Sequence, residues 1–370
     1  MNDLTVLLTL KIFSATGGIE KVCRVAGKAL YENSGEEEGQ VKILSMYDRQ
    51  QDIDAKYFPA AIFRGFGIRK LQFTCAAVRR GIGSKVVIMS HVNLLMVGFL
   101  VKLFSPKTRL VLIAHGIEVW RLLPFRKRIM LRRCDKVITV SRFTREKMIE
   151  LYGIPPAKLT ILNNCLDPFL PALVTAEKDA CLLKKYGIST GDIVFMTLSR
   201  LASAERYKGY DHVLYSIKNL QQKYPSIKYL VVGKYDNEEK LRLDKIIREL
   251  ALESQIIFTG FIPDSSLAAH YNIADLYIMP SKKEGFGIVF IEALFYGKPV
   301  IAGNKDGSAD ALGNGKFGLL VDPDNEQEIT TAIGKVLENT SAYIPDHKEV
   351  TGQFGYLGYK ANLKSILEQL

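Results

Sequence analysis

Two glutamates flank a glycine-rich turn in the stretch SKKEGFGIVFIEALFYGKPVIAG at residues 281–303. Glu284 stands before the turn, and Glu292 lies about two turns into the helix that the pattern predicts after it. A carboxylate that leaves water needs a pairing partner. Gly285 and Gly287 would expose backbone N–H groups at the helix start, where the helix dipole favours phosphate. The stretch therefore predicts a ligand with both phosphate and hydroxyl groups, such as a sugar joined to a nucleoside diphosphate.

A second strand-to-helix loop carries cations. In MTLSRLASAERYKGYDHVL, Arg200 stands just past an apolar strand, and Lys208 with Gly209 precedes a helix. Arg offers a fork of donors and Lys a compact charge, and the two together suit a diphosphate. A solvated surface pair is the alternative, and Arg206 competes with Lys208 for the second position.

Two further loops in the first half of the chain could contact a ligand. Gly17 and Gly18 open a predicted helix, where a glycine pair lets the backbone approach an anion. This loop is not the dinucleotide fingerprint, because no G-x-G-x-x-G follows the strand. His115 ends an apolar strand, from which it can donate a hydrogen bond into a cleft. Each feature could also be purely structural.

Short apolar runs alternate with helix-length segments along the whole chain. Most of the runs are continuously apolar, which is typical of parallel strands buried on both faces. Six fall in each half, and their alternation with helices predicts an α/β fold with two doubly wound sheets. The predicted strands are 5–10, 41–47, 85–90, 109–115, 136–141, 159–164, 193–199, 228–233, 256–260, 275–281, 299–303 and 318–321.

The domain boundary is predicted at LDPFLPAL, residues 166–173, where two prolines interrupt this pattern. The two predicted domains are therefore residues 1–170 and 171–345. Apolar residues at near-helical spacing over 354–370 predict a final amphipathic helix within a terminal segment, 346–370.

Composition excludes several classes of protein. The chain is 48% hydrophobic and 24% charged, which is ordinary for a globular protein. Its five cysteines include no Cys-x-x-Cys pair, so neither a disulfide framework nor a zinc site is predicted, and a reducing cytosol is favoured. The start, MNDLTVLLTLKIF, is typical of a strand rather than a signal peptide. The longest apolar stretch, 94–104, is too short to cross a bilayer, so we expect a soluble or peripheral protein.

The stretch EGFGIVFIE resembles the E-x7-E signature of glycosyltransferase family 4, a family of retaining transferases with the GT-B architecture. Further stretches resemble the family's motifs in the same order along nearly the whole chain. They are TGGIEKV, HGIE, SRLASAERYKG, FTGFIPDSSLAAHYNIADLYIMPS and GKPVIAG with GLLVDPDN. The resemblance implies two Rossmann-like, doubly wound parallel-sheet domains that face a central cleft.

The resemblance also implies a role for each matching residue. Glu284 would bind hydroxyls of the donor hexose, and Glu292 would hold the ribose. Arg200 and Lys208 would neutralise the departing pyrophosphate, and His115 would contact the sugar near the reacting carbon. The other implied donor-binding residues are Gly17 and Gly18 from the first domain and Gly285, Phe286, Gly287 and Ile288 from the second.

The resemblance implies that the first domain binds the acceptor and the second the nucleotide-sugar donor, while segment 346–370 crosses back to the first domain. Transfer would retain the anomeric configuration, and preorganised cations and helix N–H groups would stabilise charge on the departing diphosphate. Asp-x-Asp occurs at 52–54 and 322–324, in a polar loop and a turn where neither pair is placed to hold a metal on the donor. We therefore expect metal-independent transfer without a cofactor.

Two other functions remain open at this point. A nucleotide-sugar 2-epimerase of GT-B architecture would bind a similar ligand and act on the donor alone, but its acid and base carboxylates cannot be identified here. A non-catalytic basic module would bind a membrane or nucleic acid. No helix-turn-helix, RRM or zinc pattern supports nucleic acid, so we expect no nucleic-acid partner.

Positive charge is concentrated in residues 64–133, where fifteen Lys or Arg face a single acid, Glu118, for a net of +14. The chain as a whole carries +11, so the remainder is slightly acidic. Basic residues interleaved with exposed aromatics suit an anionic bilayer, although ordinary solvated helices would also explain them. The apolar residues among them, some of which must be core, are Phe63, Phe66, Phe73, Phe125, Ile129 and Met130.

The expected membrane-binding residues are Arg126, Lys127, Arg128, Arg132 and Arg133. We expect a cytoplasmic protein at the inner face of the plasma membrane. Its acceptor would be a glycan or a lipid-linked sugar, as in cell-envelope polysaccharide or lipopolysaccharide assembly.

Overall fold

The computed structural model describes residues 2–172 and 177–370, which form two compact units. The first unit runs to Pro168 and includes Phe354–Leu370, and the second is Phe169–Gln353. The division falls inside the proline-containing stretch 166–173, whose last residue lies outside the described residues.

The first unit is a parallel sheet of seven strands with helices between them. Its strands are β1 (Asn2–Thr9), β2 (Val41–Ser45), β3 (Phe63–Gly65), β4 (Ser84–Met89), β5 (Arg109–Ala114), β6 (Lys136–Thr139) and β7 (Leu159–Ile161). Its helices are α1 (Gly18–Asn33), α2 (Lys70–Gly81), α3 (Leu95–Phe104), α4 (Phe125–Arg132) and α5 (Arg142–Tyr152). The strand order is β3-β2-β1-β4-β5-β6-β7, and side chains of the central strands such as Val6, Val87 and Leu112 are fully buried.

The second unit repeats this design with six parallel strands. They are β8 (Ile193–Leu198), β9 (Ile227–Val232), β10 (Ile256–Gly260), β11 (Leu276–Met279), β12 (Val300–Gly303) and β13 (Leu319–Val321), in the order β10-β9-β8-β11-β12-β13. The helices are α6 (Ala180–Lys185), α7 (Tyr210–Leu220), α8 (Asn237–Glu249), α9 (Leu267–Ile273), α10 (Ile288–Phe295), α11 (Ser308–Ala311), α12 (Glu326–Glu338) and α13 (His347–Phe354). Two doubly wound sheets confirm the fold class predicted from the sequence.

The last helix, α14 (Tyr356–Glu368), packs on α1 of the first unit. Glu32 of α1 accepts hydrogen bonds from Lys360 Nζ and from the Tyr356 hydroxyl, each at 2.9 Å. Burial alone would raise the pKa of Glu32, but hydrogen bonds from Lys28, Lys360 and Tyr356 outweigh it and lower the pKa to about 2. A charged, hydrogen-bonded carboxylate therefore anchors the terminal helix.

Every helix within residues 2–172 and 177–370 is too short or too polar to span a bilayer.

Candidate active site

Each sheet reverses its winding direction between two neighbouring strands. The reversal lies between β1 and β4 in the first unit and between β8 and β11 in the second. In open α/β sheets, ligands bind beyond the carboxyl ends of the strands at such a point. In the second unit, the loops after β8 and β11 carry Arg200, Lys208 and Glu284. The structure thus places these three predicted residues in loops at the carboxyl ends of two adjacent central strands.

Lys208 and Glu284 form an ion pair across these two loops. The Lys208 ammonium donates to Oε1 of Glu284, and each side chain is only 14% exposed. Burial alone would lower the pKa of Lys208, but the Glu284 carboxylate outweighs it and raises that pKa. Lys208 therefore stays a cation at neutral pH and lies beside the side-chain oxygens of Glu284.

The other two cations of the loop after β8 have different partners. Arg206 donates to the buried carboxylate of Glu239 and to Glu238, both at 3.0 Å. Arg200 pairs with Glu205, but its side chain is 71% exposed. Of Lys208 and Arg206, Lys208 is therefore the one that pairs with Glu284, and most of the Arg200 side chain is exposed.

On one side, backbone contacts fix the Glu284 loop against the segment that carries Lys208. The Lys282 N–H donates to the Tyr207 carbonyl at 2.8 Å. Gly209 has φ +76°, and a Cβ there would lie 2.3 Å from the Pro280 carbonyl oxygen. Only glycine lets the two loops approach this closely.

The loop after β12 holds the other side of the Glu284 loop. Asp306 Oδ2 accepts the Glu284 N–H at 2.6 Å, and the Gly307 N–H donates to the Glu284 carbonyl at 2.8 Å. A Cβ on Gly307 would lie 2.1 Å from the Gly285 carbonyl oxygen. Asp306 is not among the residues predicted from the sequence, although an acid just before a glycine, beyond the strand next to β11, was a usable signal.

The predicted phosphate-binding turn leads directly into α10. Gly287 is its N-cap, with φ +85°, and Ile288 is its first residue. Phe286 is buried, so its side chain anchors the turn. Because the first N–H groups of a helix have no acceptor within the helix, this end favours an anion.

The structure does not expose Glu292. Its side chain is fully buried in α10, and Oε2 accepts a hydrogen bond from the Tyr271 hydroxyl at 3.4 Å. The predicted contact with a ribose would therefore require a local rearrangement around Tyr271. Glu284 needs no such change.

In the first unit, a buried aspartate organises the predicted glycine loop. Asp48 accepts backbone N–H groups of Ile12 at 2.6 Å and Ser14 at 2.7 Å. The loop then ends at Gly17, the N-cap of α1, and a Cβ on Gly18 would meet nothing within 4 Å. Asp48 therefore fixes the loop that precedes α1, and no side chain or backbone atom crowds the position of Gly18.

His115 follows β5 and is largely buried, and its hydrogen bonding differs from the expected donor role. Nε2 lies 2.9 Å from the Ser90 carbonyl, which can only accept, so Nε2 carries the proton. Burial outweighs this hydrogen bond and lowers the pKa of His115 to about 4. The ring is therefore neutral at pH 7, and its Nδ1 is an acceptor.

Neither Asp-x-Asp sequence forms a metal cluster among the described residues. Lys305 pairs with Asp322 at 2.7 Å and with Asp324 at 2.9 Å, and Lys282 also pairs with Asp324. Lysine ammonium groups thus neutralise this second pair of acids.

The basic segment separates into core and surface. Phe63, Phe66 and Phe73 are buried, and Met130 is partly buried. On and just before α4, the side chains of Leu122 and Phe125 are 57% and 67% exposed, and Ile129 is exposed too. The predicted basic residues on this stretch are exposed at Arg126, Arg132 and Arg133 and half-buried at Lys127 and Arg128.

Solved structures of other proteins share this fold along the whole chain. HepE of Anabaena, solved in complex with UDP, superposes with a TM-score of 0.78 at 19% identity, over 99% of this chain and 100% of that chain. WaaG, a glycosyltransferase involved in lipopolysaccharide biosynthesis, gives 0.70 at 14% identity over 98% and 99%. The fold is that of the GT-B glycosyltransferases.

Sequence comparison identifies the family. The model for Glycosyltransferase Family 4 matches residues 17–168, and that for Glycosyl transferases group 1 matches residues 182–355. The chain belongs to glycosyltransferase family 4, a family of transferases.

Two curated relatives match only part of their own length. The GDP-mannose-dependent alpha-(1-6)-phosphatidylinositol monomannoside mannosyltransferase of Mycolicibacterium smegmatis is 33% identical over 243 residues, which are 62% of this chain and 61% of that protein. The mannosylfructose-phosphate synthase of Agrobacterium fabrum is 27% identical over 223 residues, 58% of this chain and 48% of the relative.

Proposed function

We propose that this chain transfers a hexose from a nucleoside diphosphate sugar to a glycan or lipid-linked acceptor, with retention at the anomeric carbon. The observation that supports this most is the Lys208–Glu284 ion pair beside the start of α10. A nucleotide sugar joins an anionic diphosphate to a neutral, hydroxyl-rich ring. The pair offers a cation for the first and an acceptor for the second.

Donor binding would exchange partners within this site. The diphosphate would take Lys208, Arg200 and the N–H groups at the start of α10, while hexose hydroxyls would donate to Glu284. Lys208 and Glu284 would each keep a partner throughout, which limits the cost of desolvation. As the bond to the sugar breaks, the same cations would stabilise the growing negative charge on the diphosphate without a metal. Glu292 would hold the ribose once its carboxylate becomes accessible.

The first unit would supply the acceptor side. The neutral ring of His115 can accept a hydrogen bond from a sugar hydroxyl through Nδ1. Gly17 and Gly18 would approach the donor phosphates, as the family resemblance implies. Because Nε2 of His115 already donates to the Ser90 carbonyl, we propose that the ring accepts a hydrogen bond from the sugar hydroxyl rather than donating one.

The relatives suggest which donors to test first. The Mycolicibacterium relative is named for GDP-mannose, and HepE was solved with UDP. We propose GDP-mannose and UDP-glucose as the first two candidates, with each free nucleotide as a reference.

Thermal unfolding with a panel of nucleotide sugars tests the proposal. A matched donor at 100 times its Kd stabilises the folded protein by about 2.7 kcal/mol, so the melting temperature rises for that donor. The matched donor should then yield free nucleotide only when acceptor is present, and Glu284→Ala should abolish the sugar-specific part of the shift. Conversion of the donor into an epimer without acceptor would instead identify an epimerase.

We further propose that the exposed part of α4 docks on an anionic membrane. Leu103 and Phe104, at the end of the neighbouring helix α3, are 61% and 62% exposed, and Phe125 is similarly exposed on α4. Apolar side chains beside Arg126 and Arg132 suit an interface, where each basic residue contributes about 1 kcal/mol. Docking there would bring the enzyme to a lipid-linked acceptor at the cytoplasmic leaflet, as in envelope polysaccharide or lipopolysaccharide assembly.

A further inference from the structure

A buried carboxylate lies directly behind the proposed sugar-binding residue. Asp306 follows β12, which pairs with β11, so its loop lies beside the loop that carries Glu284. The Asp306 residue is only 2% exposed. Its carboxylate is turned to the backbone of the Glu284 loop, so it can act on the residue that is proposed to bind the sugar.

Both oxygens of Asp306 accept backbone N–H groups. Oδ2 accepts from Glu284 at 2.6 Å, and Oδ1 accepts from Ser308, the first residue of α11, at 2.9 Å. The Gly307 N–H returns a hydrogen bond to the Glu284 carbonyl at 2.8 Å. The peptide groups on both sides of the Glu284 Cα are therefore held by one short segment, 306–307.

The protonation state of Asp306 changes how well it can hold this segment. An ionised carboxylate offers two acceptor oxygens to the two N–H groups, whereas a protonated one turns one oxygen into a donor. Burial, reinforced by the charge of Glu284, raises the pKa of Asp306 to about 7, although hydrogen bonds from the side chain and N–H of Ser308 and from the Glu284 N–H oppose this shift. The group therefore titrates close to neutral pH.

Among residues 2–172 and 177–370, the cations near Asp306 pair with other acids rather than with Asp306. On the loop after β11, Glu284 is paired with Lys208. On its own loop, the adjacent Lys305 pairs with Asp322 and Asp324. On α11, Ser308 contributes its N–H, and Asp310 is the acid of that helix.

We propose that Asp306 is a positioning residue, which fixes the backbone of Glu284 for the donor sugar and makes sugar recognition depend on pH. This inference rests on the proposed role of Glu284. As the pH rises through neutrality, Asp306 ionises, its two hydrogen bonds strengthen, and the Michaelis constant for the donor falls.

Asp306→Asn tests this inference. An amide presents one acceptor and one donor to the two N–H groups at every pH, so the variant should resemble the protonated form throughout. We expect kcat/KM for the donor to fall about tenfold or more at pH 8, where bonds to a charged acceptor are lost, and less than about threefold at pH 6. The affinity for the free nucleotide, which lacks the sugar, should not change.

Two variants keep the test decisive. Asp179→Asn is the matched control, because Asp179 also accepts a helix-start N–H, from Leu182 at 2.9 Å, at α6. It should leave the kinetics unchanged. Asp306→Glu keeps the charge on a longer side chain. It should lower kcat/KM for the donor but keep the rise of kcat/KM between pH 6 and pH 8, which we call the pH step. It replaces Asp306→Asn in the test if that variant does not fold.

Three outcomes would overturn the inference. They are wild-type kinetics in both Asp306 variants, a pH step that survives in Asp306→Asn, or an equal loss of nucleotide and nucleotide-sugar affinity. Failure of the proposed function looks different, because the wild-type chain would then transfer no sugar from any donor of the panel. A wrong role for Glu284 alone would leave Glu284→Ala fully active, whatever the effect of the Asp306 variants.

Discussion

The ammonium of Lys208 and the carboxylate of Glu284 form an ion pair between residues 76 positions apart in the sequence. The pair joins the loop after β8 to the loop after β11, at the point where the second sheet reverses its winding. Each residue is therefore both a proposed ligand contact and the structural partner of the other. Substitutions in either must be interpreted with that double role in mind.

Lys208→Ala and Glu284→Ala should each lower kcat/KM at least about 10- to 100-fold, because each removes a charge-assisted hydrogen bond to the donor. Each single variant also leaves its largely buried partner unpaired. The double variant should therefore lose less free energy of unfolding than the two single variants lose together. Urea unfolding and initial rates measure the two properties. Near-normal rates in both single variants would show that the donor binds elsewhere.

Arg206→Ala should show the opposite balance. Arg206 donates to the buried Glu239, so its loss should reduce the free energy of unfolding by about 1–3 kcal/mol. Because Arg206 faces Glu238 and Glu239 rather than the Glu284 loop, kcat/KM should stay within about threefold of wild type. A loss of activity as large as in Lys208→Ala would place Arg206 on the diphosphate instead.

Transfer should persist in excess EDTA. In the proposed mechanism, Arg200, Lys208 and the start of α10 stabilise the departing diphosphate in place of a divalent cation. Initial rates with and without chelator, and after addition of Mg²⁺ or Mn²⁺, measure this directly. Complete loss that either metal restores would refute the assignment of the cations.

His115 should make the free energy of unfolding depend on pH. Its ring should stay neutral in the folded protein from pH 7.5 to 5, so its contact with the sugar should not change over that range. Its pKa is lowered from 6.5 to about 4 in the folded protein, so the unfolded chain takes up the proton first. The free energy of unfolding should therefore fall as the pH drops from 6.5 towards 4. His115→Gln should lack this component in unfolding curves at pH 7.5 and 5. An imidazole resonance of His115 that titrates near 6.5 would contradict the buried, neutral ring.

Changing Arg126, Lys127 and Arg128 together to glutamate should abolish co-sedimentation with anionic vesicles. Wild-type binding should also weaken as added salt screens the charges. The matched control is the triple change to glutamate of Lys218, Lys223 and Lys245, which alters net charge equally on helices and a turn of the second unit. Equal binding to neutral vesicles, or an equal effect of the control, would contradict docking through α4.

The sheets were predictable because buried parallel strands leave continuous apolar runs. β3 was missed because it has three residues and an exposed arginine at its centre. The ion-pair partners could not be predicted from the sequence. Arg206 and Lys208 are only two positions apart, yet Arg206 pairs with Glu239, whereas Lys208 pairs with Glu284. Only these tertiary contacts distinguish a stabilising cation from a candidate ligand contact.

Burial was equally hard to predict. Phe66 and Phe125 both stand among arginines, yet the first is core and the second is exposed. The same limit applies to Glu292, whose motif position gave no sign that its side chain is buried and accepts a hydrogen bond from Tyr271. In each case the sequence specifies the side chain, but distant segments decide whether water reaches it.

The docking of α14 on α1 has a consequence for biosynthesis. The second unit is, in chain order, an insertion between β7 and α14, so the ribosome completes it before the first unit receives its last helix. More than three hundred residues must be translated after Glu32 before its hydrogen-bond partner Lys360 is made. At about 5–20 residues per second, this interval lasts on the order of tens of seconds, during which that face of the nascent α1 is open to chaperones.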